Sequence, residues 1–221
     1  MTAIEAVVLD LDETLTDENS LTGTLRELGG SLAGLAELGA CHRAGTLGRQ
    51  EVLDGFLALL TEKGPVTRAR LEAVFAGFTV RKDSKLLVRQ IIESGRPAAL
   101  ISSSFDLYVA SMAKQLGVGQ HYSNIALQFS PTDTLMSVDF DLDTASRKHQ
   151  QLHDFCRTND VEPQHVLVVG DYDNDREMFA CTGNGVLLAG DHNRHLYDSA
   201  RWVVTSLQEV MDIMCQAGSG G

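Results

Sequence analysis

The sequence predicts an α/β fold, in which helices cover a mostly parallel sheet and a small α-helical cap domain is inserted near the start. Three observations lead to this prediction. An apolar run close to the amino end stops at two aspartates, residues 16–79 contain helical patterns but no good strand, and helices alternate with strands from residue 80 onward. Such alternation is typical of a parallel sheet. The 221 residues suffice for a core and a smaller inserted domain.

The first element is a strand within residues 4–14, IEAVVLDLDET. A continuous apolar run indicates burial on both faces of a sheet. Because aspartates are not buried unpaired, we expect Asp10 and Asp12 at the exit of this strand, facing a cation. Alternate residues leave a pleat in the same direction, and ligands collect at the carboxyl ends of parallel strands. Asp10 and Asp12 are therefore predicted to converge on one ligand.

The next segment is predicted to be the helical cap. Its helices are predicted at residues 20–37, 47–61 and 67–78. In the second of these, apolar side chains recur every three to four residues, at Leu53, Phe56, Leu57 and Leu60; this is the spacing of one helix face. We assign residues 16–79 to the cap and residues 1–15 and 80–215 to the core. The glycine-rich end, 216–221, is predicted to be a flexible tail.

The remaining core elements follow in order. Helices are predicted at residues 84–94, 106–116 and 147–159, and strands at residues 98–101, 165–169, 186–189 and 202–204. Residues 124–143 alternate between apolar and polar around a turn-like centre, which predicts an antiparallel hairpin. The charge-rich residues 191–195 predict a surface loop.

Polar side chains suited to catalysis occur at four ends of these elements. They are Asp10, Asp12 and Thr14; Ser102; Lys148; and Asp171 with Asp175. Carboxylates that lie close together cannot all ionise unless a cation neutralises them. Mg²⁺, a hard cation that prefers oxygen ligands, fits this set best.

These residues suggest a phosphoryl-transfer mechanism. Asp10 is the candidate nucleophile, since a carboxylate that attacks phosphorus forms an acyl phosphate and divides one difficult displacement into two easier ones. Asp12, with its pKa raised by the neighbouring anion, suits a general acid that later acts as a base. Mg²⁺ would neutralise charge on the phosphoryl oxygens and would be held by Asp10, Asp171 and the main-chain carbonyl of Asp12. Lys148 and Ser102 would hold the remaining phosphoryl oxygens.

The motifs DLDET, ALIS, RKHQQL and GDYDND resemble, in order, the four motifs of the haloacid dehalogenase superfamily. Longer stretches around the second and fourth motifs are similar to its phosphoserine phosphatase-like branch, which carries a helical cap after the first motif. The resemblance implies a three-layer Rossmann-like core. It also implies an Mg²⁺-dependent phosphatase that hydrolyses a small phosphorylated metabolite through an aspartyl phosphate. The groups supporting this centre are expected to be Thr14, Asn174 and Asp175.

The chain departs from that branch where the substrate binds. Phosphoserine phosphatases carry a glutamate after the first motif and an arginine in the cap, which grip the amino acid. Here Asn19, beside Glu18, stands at the first position and Phe56 lies near the second. Ser103 and Tyr172 replace glycines of the pocket floor. We expect Glu18, Asn19, Ser103 and Tyr172 to face a different phosphorylated metabolite.

Other functions are compatible with parts of this pattern. A phosphotransferase or mutase would keep the same core and exclude water from the phosphoenzyme, and a catalytically idle relative would only bind. A dehalogenase is less favoured because it needs neither Asp12 nor a metal.

His149 and His153 lie one helical turn apart and could bind a metal, but no third ligand is apparent in the sequence. We interpret them as a solvated helix face.

Composition limits the partners and the location. A formal net charge of −12 argues against nucleic acid or an anionic membrane surface as the main partner. Four scattered cysteines without a CxxC pair indicate reduced thiols in the cytoplasm. No stretch approaches the roughly 20 apolar residues of a membrane span. The sequence thus predicts a cytoplasmic enzyme, and leaves its oligomeric state open.

Overall fold

A central parallel sheet organises the protein, whose computed structural model describes residues 3–218. The strands are β1 (Ala6–Leu9), β2 (Ala98–Ile101), β3 (Gln120–Tyr122), β4 (Ala126–Phe129), β5 (Leu135–Asp139), β6 (Val166–Gly170), β7 (Gly185–Leu188) and β8 (Trp202–Val204). Over the described residues, six of them form a parallel sheet in the order β3-β2-β1-β6-β7-β8. The predicted α/β fold with a mostly parallel sheet is confirmed.

Helices surround this sheet. They are α1 (Ser20–Leu28), α2 (Leu32–Arg43), α3 (Arg49–Leu60), α4 (Arg68–Gly77), α5 (Lys82–Glu93), α6 (Asp106–Leu116), α7 (Thr144–Asn159), α8 (Arg176–Thr182) and α9 (Leu207–Gly218). Side chains of β1 alternate between two apolar clusters. Ala6 and Val8 lie in the cluster that includes residues of α7 and α8, whereas Val7 and Leu9 lie in the one that includes residues of α5, α6 and α9. This gives the predicted three layers.

The four helices α1 to α4 lie within the segment predicted to be the cap, and they share an apolar cluster with the core. Phe105, just before α6, has its ring centroid 6.0 Å from that of Phe56 and 5.5 Å from that of Phe75. The cap helices are thus packed directly onto core residues. The division at residues 16 and 79 remains a prediction.

The predicted hairpin is present as β4 and β5, which pair antiparallel apart from the central sheet. It contacts the cap through main-chain hydrogen bonds, since the Leu135 amide donates to the Val66 carbonyl at 2.8 Å and the Arg68 amide to the Asp133 carbonyl at 2.9 Å. In addition, Arg49 donates to Asp139 at 2.5 Å. The hairpin therefore connects the cap to the core.

The single helix predicted over residues 20–37 is wrong, because the structure has α1 and α2 with a break between them. Gly29 ends α1 with φ at +79°, a backbone conformation that residues other than glycine rarely adopt. Gly30 then passes so close to α3 that a Cβ atom there would lie 2.5 Å from the Leu59 carbonyl oxygen. Both glycines are needed for the turn that folds α2 back.

Two further differences concern short or terminal elements. Strand β3 was not predicted, because it is an edge strand of three residues without an apolar pattern. Helix α9 continues to Gly218, which is two residues beyond the predicted start of the tail at residue 216. The flexibility of the tail remains a prediction. Positions 219–221 of that prediction lie outside the described residues.

Within residues 3–218, every helix is too short or too polar to cross a lipid bilayer.

The close approach at Gly30 leads to a stability prediction. We expect Gly30→Ala to lower the free energy of unfolding by about 1–3 kcal/mol, because the added methyl overlaps backbone and not only a movable side chain. Gly77→Ala is the matched control, since a Cβ atom at Gly77 would have no neighbour within 4 Å. Urea titrations of both variants measure the difference. Equal stabilities would contradict the proposed reason for the break between α1 and α2.

Candidate active site

The site lies at the carboxyl ends of the two central strands, β1 and β6. These strands pair in parallel with Leu9 beside Val169, so that Asp10 and Asp171 leave the sheet next to each other. The Asp10 amide donates to the Val169 carbonyl at 2.8 Å. The chain continues from β1 toward one edge of the sheet and from β6 toward the other, and such a reversal opens a crevice for ligands.

Lys148, near the start of α7, links two carboxylates below this crevice. Its Nζ donates to Asp10 Oδ1 and to Asp175 Oδ1, both at 2.8 Å, and all three side chains are buried. Burial alone would lower the pKa of Lys148, but the charges of Asp10 and Asp175 outweigh it and raise this pKa above its usual value. Lys148 therefore remains a cation at neutral pH.

Negative charge nevertheless exceeds positive charge at this point. Carboxylate oxygens of Asp10, Asp171 and Asp175 lie within 4.8 Å of one another, and among the described residues Lys148 is the only lysine buried with them. Burial raises the pKa of Asp10 well above its usual value, and Asp175 and Asp171 raise it further against the opposing effect of Lys148. An added cation with a preference for oxygen would relieve this repulsion, so the residues fit Mg²⁺.

Asp175 holds the loop that carries Asp171. Its Oδ2 accepts the amides of Asp171 and Tyr172, each at 3.1 Å, while its Oδ1 accepts Lys148. A Cβ atom on Gly170 would lie 2.3 Å from Asp175 Oδ2, so that only glycine permits this approach. Because both oxygens of Asp175 already accept hydrogen bonds, Asp10 and Asp171 are the better candidates for direct metal ligands.

Asp171 has its own supporting contacts. The Thr14 hydroxyl donates to Asp171 Oδ1 at 3.0 Å, and His192 Nε2 lies 3.4 Å from Asp171 Oδ2. The Asp171 carbonyl accepts the side-chain amide of Asn193 at 2.7 Å. The Asp171 carboxylate is thus oriented by the segment after β1 and by the segment after β7.

Asp12 is not part of this acidic cluster and contacts the start of α1. Its Oδ2 accepts the Ser20 amide at 3.1 Å and the Ser20 hydroxyl at 2.5 Å, whereas its Oδ1 is buried without a hydrogen-bond partner among the described residues. Burial raises the pKa of Asp12 to about 6, and the hydrogen bonds from Ser20 limit the increase. A carboxyl group with such a pKa can both donate and accept a proton near neutral pH.

Ser102, Ser103 and Asn174 complete the polar floor of the site. Ser102 is buried just after β2, where its hydroxyl accepts the Ser104 amide at 3.3 Å. The Asn174 side-chain amide donates to the Ser103 hydroxyl at 3.1 Å, while Asn174 Oδ1 is buried without a partner in the described chain. The hydroxyls of Ser20 and Ser104 also contact each other. Ser102, Ser103 and Asn174 line the same cavity as Asp10 and Asp12.

A cavity of about 510 Å³ opens above this floor, between the core and the cap. Its floor includes Asp10, Asp12, Ser102, Lys148 and Asp171. Its walls are largely apolar, and come from Leu21, Leu35, Leu38, Val52 and Phe56 of α1 to α3 together with Ile125, Phe140 and Leu142 of the core. His42 and Arg43, at the end of α2, also line it.

The residues predicted to contact substrate separate into two groups. Asn19, Ser103 and Tyr172 line the cavity. The Asn19 side chain also caps α1, since it accepts the amides of Leu21 and Thr22 at 3.1 and 3.2 Å. Glu18 is not among the cavity-lining residues and instead pairs with Arg26.

Sequence reasoning missed two supporting residues, Ser20 and Asn193. Ser20 had no visible link to Asp12, because their contact depends on where α1 begins relative to β1. The surface loop predicted at residues 191–195 is wrong at Asn193, which is buried and donates to the carbonyls of Asp171 and Leu188 at 2.7 and 2.9 Å. A short polar, charge-rich segment resembles a surface loop unless its partners are known.

Comparisons with known proteins agree with this arrangement. The family model of the haloacid dehalogenase-like hydrolases matches residues 4–183. A phosphoserine phosphatase from Archaeoglobus fulgidus is 26% identical over 182 residues, which are 81% of this chain and 51% of that protein. The chain thus spans about half the length of this relative. A phosphoserine phosphatase from Streptococcus thermophilus is 24% identical over 212 residues, 96% of each chain.

A solved structure supports the fold. It is described as a phospho-aspartyl intermediate analogue of phosphoserine phosphatase, and it superposes with a TM-score of 0.77 at 18% identity over 96% of this chain and 100% of that chain. At this identity the likeness concerns the fold. The family match, which covers most of the chain, confirms the resemblance predicted from the four motifs: this enzyme belongs to the haloacid dehalogenase-like hydrolase family and is similar to its phosphoserine phosphatases.

Proposed function

We propose that this enzyme is an Mg²⁺-dependent phosphatase that hydrolyses a small phosphate monoester through an aspartyl phosphate on Asp10. The observation that carries the proposal is the convergence of Asp10, Lys148 and Asp171 on the floor of the 510 Å³ cavity. Phosphoryl transfer depends mainly on positioning and on compensating the charge of the phosphoryl oxygens. A nucleophile, a fixed ammonium group and an acidic metal site supply these functions.

In the first step, an Asp10 carboxylate oxygen attacks phosphorus while the bond from phosphorus to the leaving oxygen breaks. Asp12 donates a proton to that oxygen, a role supported by its cavity-lining position and its pKa of about 6. In the second step, Asp12 takes a proton from water, which attacks the phosphorylated Asp10 and releases phosphate. Lys148 and Ser102 hold phosphoryl oxygens in both steps.

Asp10 and Asp171, together with the main-chain carbonyl of Asp12, are the proposed ligands of Mg²⁺. When bound, the ion supplies charge compensation for the phosphoryl group. Thr14 and Asp175 orient the two sides of this centre through their contacts with Asp171.

The cavity walls suggest the chemical class of the substrate. We propose that the organic part of the ester is largely apolar, since the cap contributes leucine, valine and phenylalanine side chains to the cavity. The relatives named phosphoserine phosphatase make phosphoserine the natural comparison. Its charged amino acid would meet Phe56 near the place where the sequence resemblance implies an arginine, so we expect phosphoserine to bind poorly.

A cytoplasmic location remains part of the proposal. Cys41, Cys156 and Cys181 carry free thiols, as expected of a reducing compartment.

The nucleophile is tested by Asp10→Asn. We expect turnover of a chromogenic phosphate ester to fall by at least about 10⁴-fold, because the amide cannot form the acyl phosphate. Asp173→Asn serves as the matched control, since Asp173 belongs to the same acidic loop but is exposed and faces His195. Phosphate release is measured for both variants. Substantial activity of Asp10→Asn, or equal losses in the two variants, would contradict the assignment.

The metal is tested by chelation. We expect activity to disappear on treatment with EDTA and to return with added Mg²⁺, and Asp171→Asn to need at least about tenfold more Mg²⁺ for half-maximal activity. Product analysis in the same assay distinguishes hydrolysis from transfer, because a phosphotransferase or mutase would release little inorganic phosphate. Full activity of the chelated wild-type enzyme would exclude the proposed role of Mg²⁺.

The substrate class is tested with a panel of phosphate monoesters that includes alkyl and aryl phosphates and phosphoserine. We expect esters with an apolar body to give the higher kcat/KM. Leu38→Asn should reduce kcat/KM for the best of them by about tenfold, since it places an amide in the apolar wall. Leu32→Asn, on the same helix but outside the cavity lining, should have little effect. Phosphoserine turnover equal to that of the best ester would refute the apolar preference.

A further inference from the structure

A second cluster of metal-binding side chains lies on the outer surface of α7 and α8. His149 and His153 are one turn apart on α7, and Cys181 lies near the end of α8. The Nε2 atoms of the two histidines are 3.1 Å apart, and Cys181 Sγ is 3.9 Å from His153 Nε2. One ligand atom from each residue lies within 4.8 Å of the others. The sequence around His149 and His153 shows no third metal ligand, but the neighbouring helix α8 supplies one, Cys181.

Two of the three distances between the donor atoms are close to those around a tetrahedral ion. Zn–N bonds of about 2.0–2.1 Å and Zn–S bonds of about 2.3 Å place two nitrogens about 3.3 Å apart, and a nitrogen about 3.6 Å from a sulfur. The observed separations of 3.1 and 3.9 Å differ from these values by only a few tenths of an ångström. Small side-chain rotations would close that difference, because His153 is exposed and the other two residues are partly exposed.

The donor atoms distinguish this cluster from the acidic one in the cavity. Two imidazoles and a thiolate favour a borderline ion such as Zn²⁺, whereas Mg²⁺ prefers oxygen. Burial raises the pKa of the Cys181 thiol, so a bound ion would displace a proton from the sulfur. Glu177 Oε2 lies 3.9 Å from the other ring nitrogen of His149, and an approach of about 1 Å would let this carboxylate accept a hydrogen bond that orients the ring.

We propose that His149, His153 and Cys181 form a Zn²⁺ site that is separate from the catalytic Mg²⁺ site. The protein supplies three ligands, through His149 Nε2, His153 Nε2 and Cys181 Sγ, and water occupies the fourth position. The ion connects α7 to α8. Because Lys148 precedes His149, and α8 directly follows the loop with Asp175, this connection spans the two elements that hold the Lys148 to Asp175 ion pair.

Cobalt provides the test, because Co²⁺ reports its ligands by absorption. Wild-type protein, saturated with Mg²⁺ to occupy the acidic cluster, is titrated with Co²⁺. We expect one equivalent to produce both a thiolate-to-cobalt charge-transfer band and the strong visible bands of tetrahedral coordination. Zn²⁺ should remove these bands, and further Mg²⁺ should not. Binding at the aspartates cannot produce the charge-transfer band, so this result is independent of the proposed phosphatase activity.

Matched variants assign the ligands. Cys181→Ser should abolish the charge-transfer band, and His153→Ala should weaken Co²⁺ binding by at least about tenfold. Cys41→Ser, which changes a cysteine on α2, should leave the titration unchanged. Circular dichroism without added metal verifies that each variant is folded. A wild-type protein without the charge-transfer band, or a band that persists in folded Cys181→Ser, would overturn the proposal.

Discussion

The ion pairs of Lys148 with Asp10 and Asp175 are the interaction on which the candidate active site depends. Each is a 2.8 Å hydrogen bond between buried groups. Removing one partner of a buried pair leaves an unpaired charge, which costs far more than the loss of an exposed ion pair. Lys148 comes from α7 and the two carboxylates come from the loops after β1 and β6, so this interaction also joins three separate segments around the crevice.

The same interaction connects structure to chemistry. Lys148 compensates only part of the charge of three neighbouring carboxylates, so these residues fit a further cation. Asp175 accepts Lys148 with one oxygen and two main-chain amides with the other, and thereby positions the loop of Asp171. The charges that make burial costly therefore surround the proposed site of a metal ion and a phosphoryl group.

The cap provides a different kind of constraint, based on apolar packing. Its helices share a cluster with Phe105, and the hairpin of β4 and β5 contacts them from the core. The cavity thus has a charged floor from the core and apolar walls largely from the cap. In the proposed function, the chemistry and the substrate preference belong to different parts of the chain, which is why the family motifs identify the first more readily than the second.

The sequence by itself determined the parallel α/β core and the residues at the strand ends. A buried strand such as β6 leaves a continuous apolar run, and a polar group such as Asp171 directly after it is visible locally. Only the tertiary structure decided the break after α1, the contact of Ser20 with Asp12, the burial of Asn193 and the meeting of Cys181 with His153. The physical reason is that periodicity reports the burial of each segment, whereas these features depend on how close two distant segments come to each other.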